Sequence, residues 1–177
     1  MKRTLHIARP RACRRAGLAL LPAFWIVVAF LLLNGCAMQM PEPAQSYVQE
    51  DYSRRIDRVF VVMHFPMRGD EAQTVSYLEE DLRRRFLQNQ LNFEIVVDDQ
   101  TLSGEEIGRR LENFRPDYVL TIRRTETYAL DARLNDQQED VMVWHTTIRH
   151  DLNRNTVELA GDIGRTLFLT MKHDGLL

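Results

Sequence analysis

The sequence predicts an α/β (α+β) domain of order β-α-β-α-β-β-β-α, a two- or three-layer sandwich on a mixed sheet. Short apolar runs rich in β-branched residues indicate strands that are buried on both faces. Segments with apolar residues at steps of three and four separate the first three runs, which favours parallel right-handed βαβ units. Two further strands around a polar turn then predict an antiparallel hairpin in the second half.

The first half contains three predicted strands and two predicted helices. The first helix begins after Asp70 and ends near Asn89, because apolar residues recur there at helical spacing. Ser103 and Glu106 have the spacing of a capping box, which predicts the start of the second helix, and Pro116 ends that helix. The predicted strands are 58–63, 93–97 and 118–122.

The second half is predicted as a hairpin followed by one helix. Residues 128–134 alternate in polarity, 135–140 have turn composition, and 141–148 supply the returning strand. Asn155 with Glu158 has N-cap spacing, so a last helix is expected after this pair. A strand over 157–160 is the alternative, since Gly161 and Gly164 weaken the helical pattern. The expected inner face of this helix consists of Ala160, Ile163, Leu167 and Met171, with Gly175 beyond its end.

Residues 1–35 have the order of a secretory signal. The stretch 1–15 holds six basic residues and no acidic one, and a predominantly apolar run occupies 16–33. The basic start favours cytoplasmic retention of the leader and export of the residues beyond it. The alternative is an uncleaved membrane helix, since about 18 apolar residues just span a bilayer. Both interpretations place the chain beyond residue 36 outside the cytoplasm.

The leader ends in Leu33-Asn34-Gly35-Cys36, which resembles the lipobox of bacterial lipoproteins. The resemblance implies cleavage before Cys36, a diacylglycerol on its sulfur and an acylated (for example palmitoylated) new amino terminus. An Asp after the cysteine favours the inner membrane in the proteobacterial lipoproteins that this leader resembles. Ala37 therefore implies an outer-membrane lipid anchor with the domain facing the periplasm.

Charge and composition divide the remainder of the chain. After residue 35 there are 17 basic and 25 acidic residues, a net charge of −8, which argues against nucleic acid as a partner. Residues 36–55 are predicted to be a lipidated amino terminus and flexible tether, because 37–52 contains Pro and Gln without periodicity. Residues 56–177 are predicted to form a single periplasmic α/β domain.

Polar residues lie after the first two predicted strands and are the candidate ligand-binding residues. Ligands favour the carboxyl ends of strands in open parallel sheets. His64, Asp98 and Asp99 carry metal-ligating atoms, and Arg68 can bind an anion. The alternative is that these residues only solvate the strand ends, so no metal is assigned to them.

The sequence predicts no catalytic residue and no cofactor. It contains no Gly-x-Ser-x-Gly elbow, no glycine-rich phosphate loop and no His-Glu-x-x-His motif. Cys13 leaves with the leader and Cys36 carries lipid, so no thiol remains in the expected mature body.

The order of elements over 56–177, behind a lipidated cysteine and a tether, is similar to the TolB N-terminal domain. It also resembles LpoB-type activators of penicillin-binding proteins. Local similarities are Asp117-Tyr118-Val119-Leu120, Val143-Trp144 and the terminal residues 173–177. The resemblance implies a non-catalytic module anchored to the membrane through acylated Cys36 that binds another cell-envelope protein. A periplasmic small-ligand or metal-binding domain is the second hypothesis.

Overall fold

The computed structural model describes residues 43–65, 71–98, 102–126, 129–150 and 155–177. The leader and Cys36 lie outside the described residues. The strands are β1 (Ser46–Val48), β2 (Arg58–His64), β3 (Asn92–Asp98), β4 (Tyr118–Glu126), β5 (Ala129–Asp136) and β6 (Val141–Arg149). The helices are α1 (Glu71–Gln88), α2 (Gly104–Phe114) and α3 (Thr156–His173).

The strands form one mixed sheet of order β1-β6-β5-β4-β2-β3. β2 pairs in parallel with both β3 and β4. β4, β5, β6 and β1 pair antiparallel in that order. The predicted α/β class, with a parallel first half and an antiparallel hairpin in the second half, is confirmed.

Among the described residues, helices cover both faces of the parallel half of the sheet but only one face of the antiparallel half. One face packs on α1 and α3 and forms the main core, which includes Leu82, Leu120, Trp144 and Leu167. On the opposite face, residues of α2 pack against a small cluster formed by Phe60, Val62 and Val96. Within the described residues, α2 covers the parallel half only. The second face of β5, β6 and β1 is therefore left open by the described helices.

Local capping positions two of the helices. Ser103 accepts a hydrogen bond from the Glu106 backbone N–H at 3.2 Å, as its spacing predicts. Asn155 likewise accepts from the Glu158 backbone N–H at 2.9 Å. The four residues predicted for the inner face of α3 are all buried. The alternative of a strand over 157–160 is wrong, because the cap and the buried stripe together favour the helix.

Helices α1 and α3 meet through an unusually polar contact. Asp81 of α1 is only 4% exposed and accepts a 2.5 Å hydrogen bond from Nε of Arg85. Arg85 also donates to the Gly161 carbonyl of α3 at 3.4 Å. A Cβ at Gly164 would overlap the Asp81 carboxylate. The two glycines that weaken the helical pattern therefore lie at this contact between helices.

The carboxyl-terminal part of the predicted tether, residues 36–55, is folded into the domain. Ser46–Val48 forms the edge strand β1, although 36–55 is predicted to be flexible. The Ala44 backbone N–H donates to Thr170 Oγ1 at 2.9 Å, and Thr146 Oγ1 donates to the Gln45 carbonyl at 2.8 Å. A three-residue strand has no detectable periodicity, and its partners lie about 100 residues away in sequence. The folded domain therefore begins near Ala44.

None of the helices that the structure describes is both long and apolar enough to cross a bilayer.

Candidate functional site

Two of the four predicted ligand-binding residues meet at the carboxyl edge of the parallel strands. His64 and Asp98 are register partners in β2 and β3. His64 Nδ1 lies 2.8 Å from Asp98 Oδ2, so the two form a hydrogen-bonded pair. Arg68 and Asp99 lie outside the described residues, so their proximity to this pair stays a prediction.

The His64–Asp98 pair is by itself a weak metal-binding candidate. The described parts of the chain contain no group of three or more His, Cys, Asp or Glu side chains arranged to hold a metal. Protein metal sites commonly use three or more protein ligands. The His64 side chain is also 44% exposed, and surface pairs of this kind contribute about 0–1 kcal/mol.

A second cluster of polar side chains, which the sequence patterns did not identify, lies on the uncovered side of the antiparallel half. Strand register brings it together, since Arg123 is opposite Asp131 and Arg133 is opposite His145. Tyr47 of β1 is in turn opposite His145. We call this surface the open sheet face. It comprises Thr121, Arg123 and Glu126 of β4, Asp131 and Arg133 of β5, His145, Thr147 and Arg149 of β6, and Tyr47 of β1.

Asp131 is the centre of the open sheet face. It is 4% exposed and accepts hydrogen bonds from Nε of Arg133 at 2.8 Å and Nε of Arg123 at 3.3 Å. Its second carboxylate oxygen is hydrogen-bonded to Nε2 of His145. One buried carboxylate is therefore shared among three basic side chains, which fixes all three on the sheet surface.

The environment of Asp131 stabilises its ionised form. Burial raises the pKa of this carboxyl, but the hydrogen bond and positive charge of His145, together with Arg133, lower it. The effects of His145 and Arg133 outweigh that of burial, so the pKa of Asp131 lies below the ordinary value of 3.8. A group with a depressed folded-state pKa stabilises the fold above its unfolded-state pKa, and this contribution is lost as the pH falls through the folded-state value.

We expect an Asp131→Asn variant to be less stable than the wild type near neutral pH, by about 1–3 kcal/mol. The difference should shrink as the pH falls from about 5 to about 2, because the wild-type carboxylate becomes protonated there. Urea unfolding followed by circular dichroism across this range measures the effect. A difference that stays constant down to the lowest pH would contradict the assigned ionisation.

A groove lies where β1 ends beside the longer strand β6. Its volume is about 760 Å³, and its walls include Tyr47, His145, Thr147 and Arg149. Thr166 of α3 lies on its far side. The groove opens at the edge of the open sheet face, so a molecule bound to that face would also reach it.

The geometry defines a class of protein: a small mixed α/β domain in which the described helices leave one face of the antiparallel half open, lined by arginine, histidine and tyrosine. No family model matches the chain, and no match to a curated protein was found.

The chain is similar to two solved structures of low sequence identity. One is a PelC dodecamer from Paraburkholderia phytofirmans, with 13% identity, 70% of this chain and 95% of that chain covered, and a TM-score of 0.42. The other is a PDZ domain protein from Parabacteroides distasonis, with 10% identity, 73% and 35% covered, and a TM-score of 0.40. At these values the two similarities carry no functional argument.

Proposed function

We propose that this protein is a lipid-anchored lipoprotein of the bacterial cell envelope whose α/β domain binds another envelope protein and has no catalytic activity of its own. The observation that carries the docking part of this proposal is the open sheet face. The anchoring part rests on the basic and apolar leader that ends at Cys36.

The anchor and the domain are close together along the chain. Only seven residues lie between Cys36 and Ala44, where the domain begins, so the connection of eight residue steps spans at most about 28 Å. Stable membrane anchoring requires two or more acyl chains, which a diacylglyceryl, N-acylated cysteine provides. The domain therefore works near its own membrane, which we propose to be the periplasmic side of the outer membrane.

The composition of the open sheet face favours a protein partner. Arginine and tyrosine are enriched in protein interfaces and in the residues that dominate their binding energy. Tyr47 is 53% exposed at the rim of this face, so its aromatic ring is available for contact with a partner. Asp131 holds Arg133 and Arg123 in defined positions, which lowers the entropy lost when a partner binds.

A periplasmic small-ligand domain is the second candidate. The groove beside β1 favours it, because a volume of about 760 Å³ is within the usual range of ligand pockets. In this case His145 and Arg149 would bind an acidic group of the ligand. If the ligand were a metal ion, the His64–Asp98 pair would be the only feature of the described residues that supports its binding.

Cross-linking in intact cells tests the proposed function. The full chain is cross-linked, purified from membranes and examined for covalently captured envelope proteins. We expect a Tyr47→Ala variant to capture its partner at least about fivefold less, because hot-spot aromatic side chains contribute 2 kcal/mol or more. Leu87→Ala is the matched control, since Leu87 is an exposed apolar residue on α1, 64% exposed.

Equal capture by wild type, Tyr47→Ala and Leu87→Ala would contradict docking through the open sheet face. Recovery of a bound small molecule with no protein partner would favour the second candidate instead.

A further inference from the structure

The two arginines beside Asp131 use only part of their hydrogen-bonding capacity. Asp131 receives the Nε–H of Arg123 and the Nε–H of Arg133. Neither arginine donates from its Nη atoms to any residue that the structure describes. The side chains are 47% and 43% exposed, so the terminal Nη pairs are accessible. Each pair has the geometry that binds a carboxylate through two parallel hydrogen bonds.

The charge of the open sheet face is opposite to that of the chain as a whole. After residue 35 the net charge is −8. The described residues of the open sheet face nevertheless include three arginines and a histidine against two carboxylates, Asp131 and Glu126. A positively charged surface on an acidic protein attracts an acidic partner and orients it toward that one face.

We propose that the open sheet face binds an acidic segment of its partner protein, with the Nη pairs of Arg123 and Arg133 binding Asp or Glu side chains. This inference rests on the proposed function and names the chemistry of the partner. Asp131 acts as a positioning residue, because it accepts the Nε–H of each guanidinium group and receives no hydrogen bond from their Nη atoms. Tyr47 and Arg149 extend the same surface toward the groove.

The observations favour an acidic protein segment over an anionic lipid surface. Lipid-binding basic clusters typically contain four to eight Lys or Arg residues. The open sheet face contains three arginines, and two of them are already partly neutralised by Asp131. Arginine also binds a carboxylate through two hydrogen bonds in one plane. Binding to the diffuse charge of a membrane surface does not require this geometry.

Binding of a defined acidic peptide tests this inference. The full-length lipidated chain in detergent is titrated into a fluorescent peptide of alternating Glu and Ser, and anisotropy is recorded at low and at moderate salt. We expect saturable binding that an Arg123→Gln/Arg133→Gln double variant weakens at least about tenfold, since glutamine cannot form the charge-assisted two-point hydrogen bonds of a guanidinium to a carboxylate.

Two further variants keep the result interpretable. Arg123→Lys/Arg133→Lys retains positive charge beside Asp131 and removes the planar two-point geometry together with the two Nε–H hydrogen bonds, so we expect an intermediate loss of peptide binding. Arg83→Gln is the matched control, because Arg83 is a half-exposed arginine on α1 that pairs with Glu79. We expect that control to bind the peptide like the wild type.

Equal loss in the control variant, or no loss in the Gln double variant, would overturn the inference. So would binding to phosphatidylglycerol vesicles, with the same dependence on Arg123 and Arg133, in the absence of peptide binding. If cells yield a captured partner whose binding does not depend on either arginine, the proposed function stands and this inference fails. If no partner is captured at all, the proposed function itself fails.

Discussion

Replacing Cys36 with serine is expected to abolish incorporation of fatty acid into this protein. In the proposed lipoprotein the Cys36 thiol receives the diacylglycerol, and a serine hydroxyl does not replace it, so neither that modification nor the later acylation of the amino terminus would take place. Each buried methylene contributes about 0.8 kcal/mol to membrane binding, so losing several acyl chains removes the anchor entirely. Metabolic labelling with an alkyne-tagged fatty acid, with detection on a gel, measures this directly.

Cys13→Ser is the control for this experiment, because Cys13 lies within the leader and should be absent from the mature chain. We expect full labelling of Cys13→Ser and no labelling of Cys36→Ser. Label that persists in Cys36→Ser would refute the lipid anchor. A wild-type protein that retains residues 1–35 and carries no label would instead support an uncleaved membrane helix.

Replacing Trp144 with alanine is expected to unfold the domain or bring it close to unfolding. Trp144 is fully buried in the main core, and its Nε1–H donates to Asp174 Oδ2 at 2.7 Å. Removal of a buried aromatic side chain costs about 3–5 kcal/mol, and loss of the hydrogen bond to the Asp174 carboxylate adds about 1–3 kcal/mol. This sum is comparable to the whole stability of a domain, which is about 5–15 kcal/mol.

The same substitution also loosens the amino-terminal edge of the sheet. Burial raises the pKa of Asp174, but hydrogen bonds from Ser46 and Trp144 lower it below its usual value. Asp174 therefore joins β1 to β6 at the end of α3. Losing Trp144 weakens this junction as well as the core.

Trp144→Phe separates the two contributions, because it retains most of the packing and removes only the hydrogen bond. We expect a cost of about 1–3 kcal/mol for Trp144→Phe and close to none for the exposed control Leu87→Ala. Urea unfolding monitored by far-ultraviolet circular dichroism measures all three variants without relying on the removed tryptophan. A Trp144→Ala domain within about 1 kcal/mol of the wild type would be incompatible with this core.

Features encoded by neighbouring residues were predictable from the sequence. The caps formed by Ser103 and Asn155 depend on residues three positions away, and the structure contains both. The order of strands and helices was predictable from periodicity, which is also local. The proximity of His64 and Asp98, two of the four candidate ligand-binding residues, was predictable because the carboxyl ends of parallel neighbours meet at one edge.

Features that depend on strand register were not predictable. Asp131 and Arg133 lie on the same face of β5 because they are two residues apart, and this was predictable from the sequence. Their contacts with Arg123 and His145 depend on which residues are opposite each other across β4, β5 and β6. The strand β1 was missed for a related reason, since it is defined by pairing with a distant edge.

Site-specific photo-cross-linking in living cells tests whether the domain binds another envelope protein through the open sheet face. A photoreactive amino acid is placed at Thr147 on this face or at Glu112, an exposed position on α2 on the covered half. The account predicts a discrete cross-linked product with an envelope protein from position 147 and none from position 112. Products from both positions alike, or from position 112 alone, would contradict it.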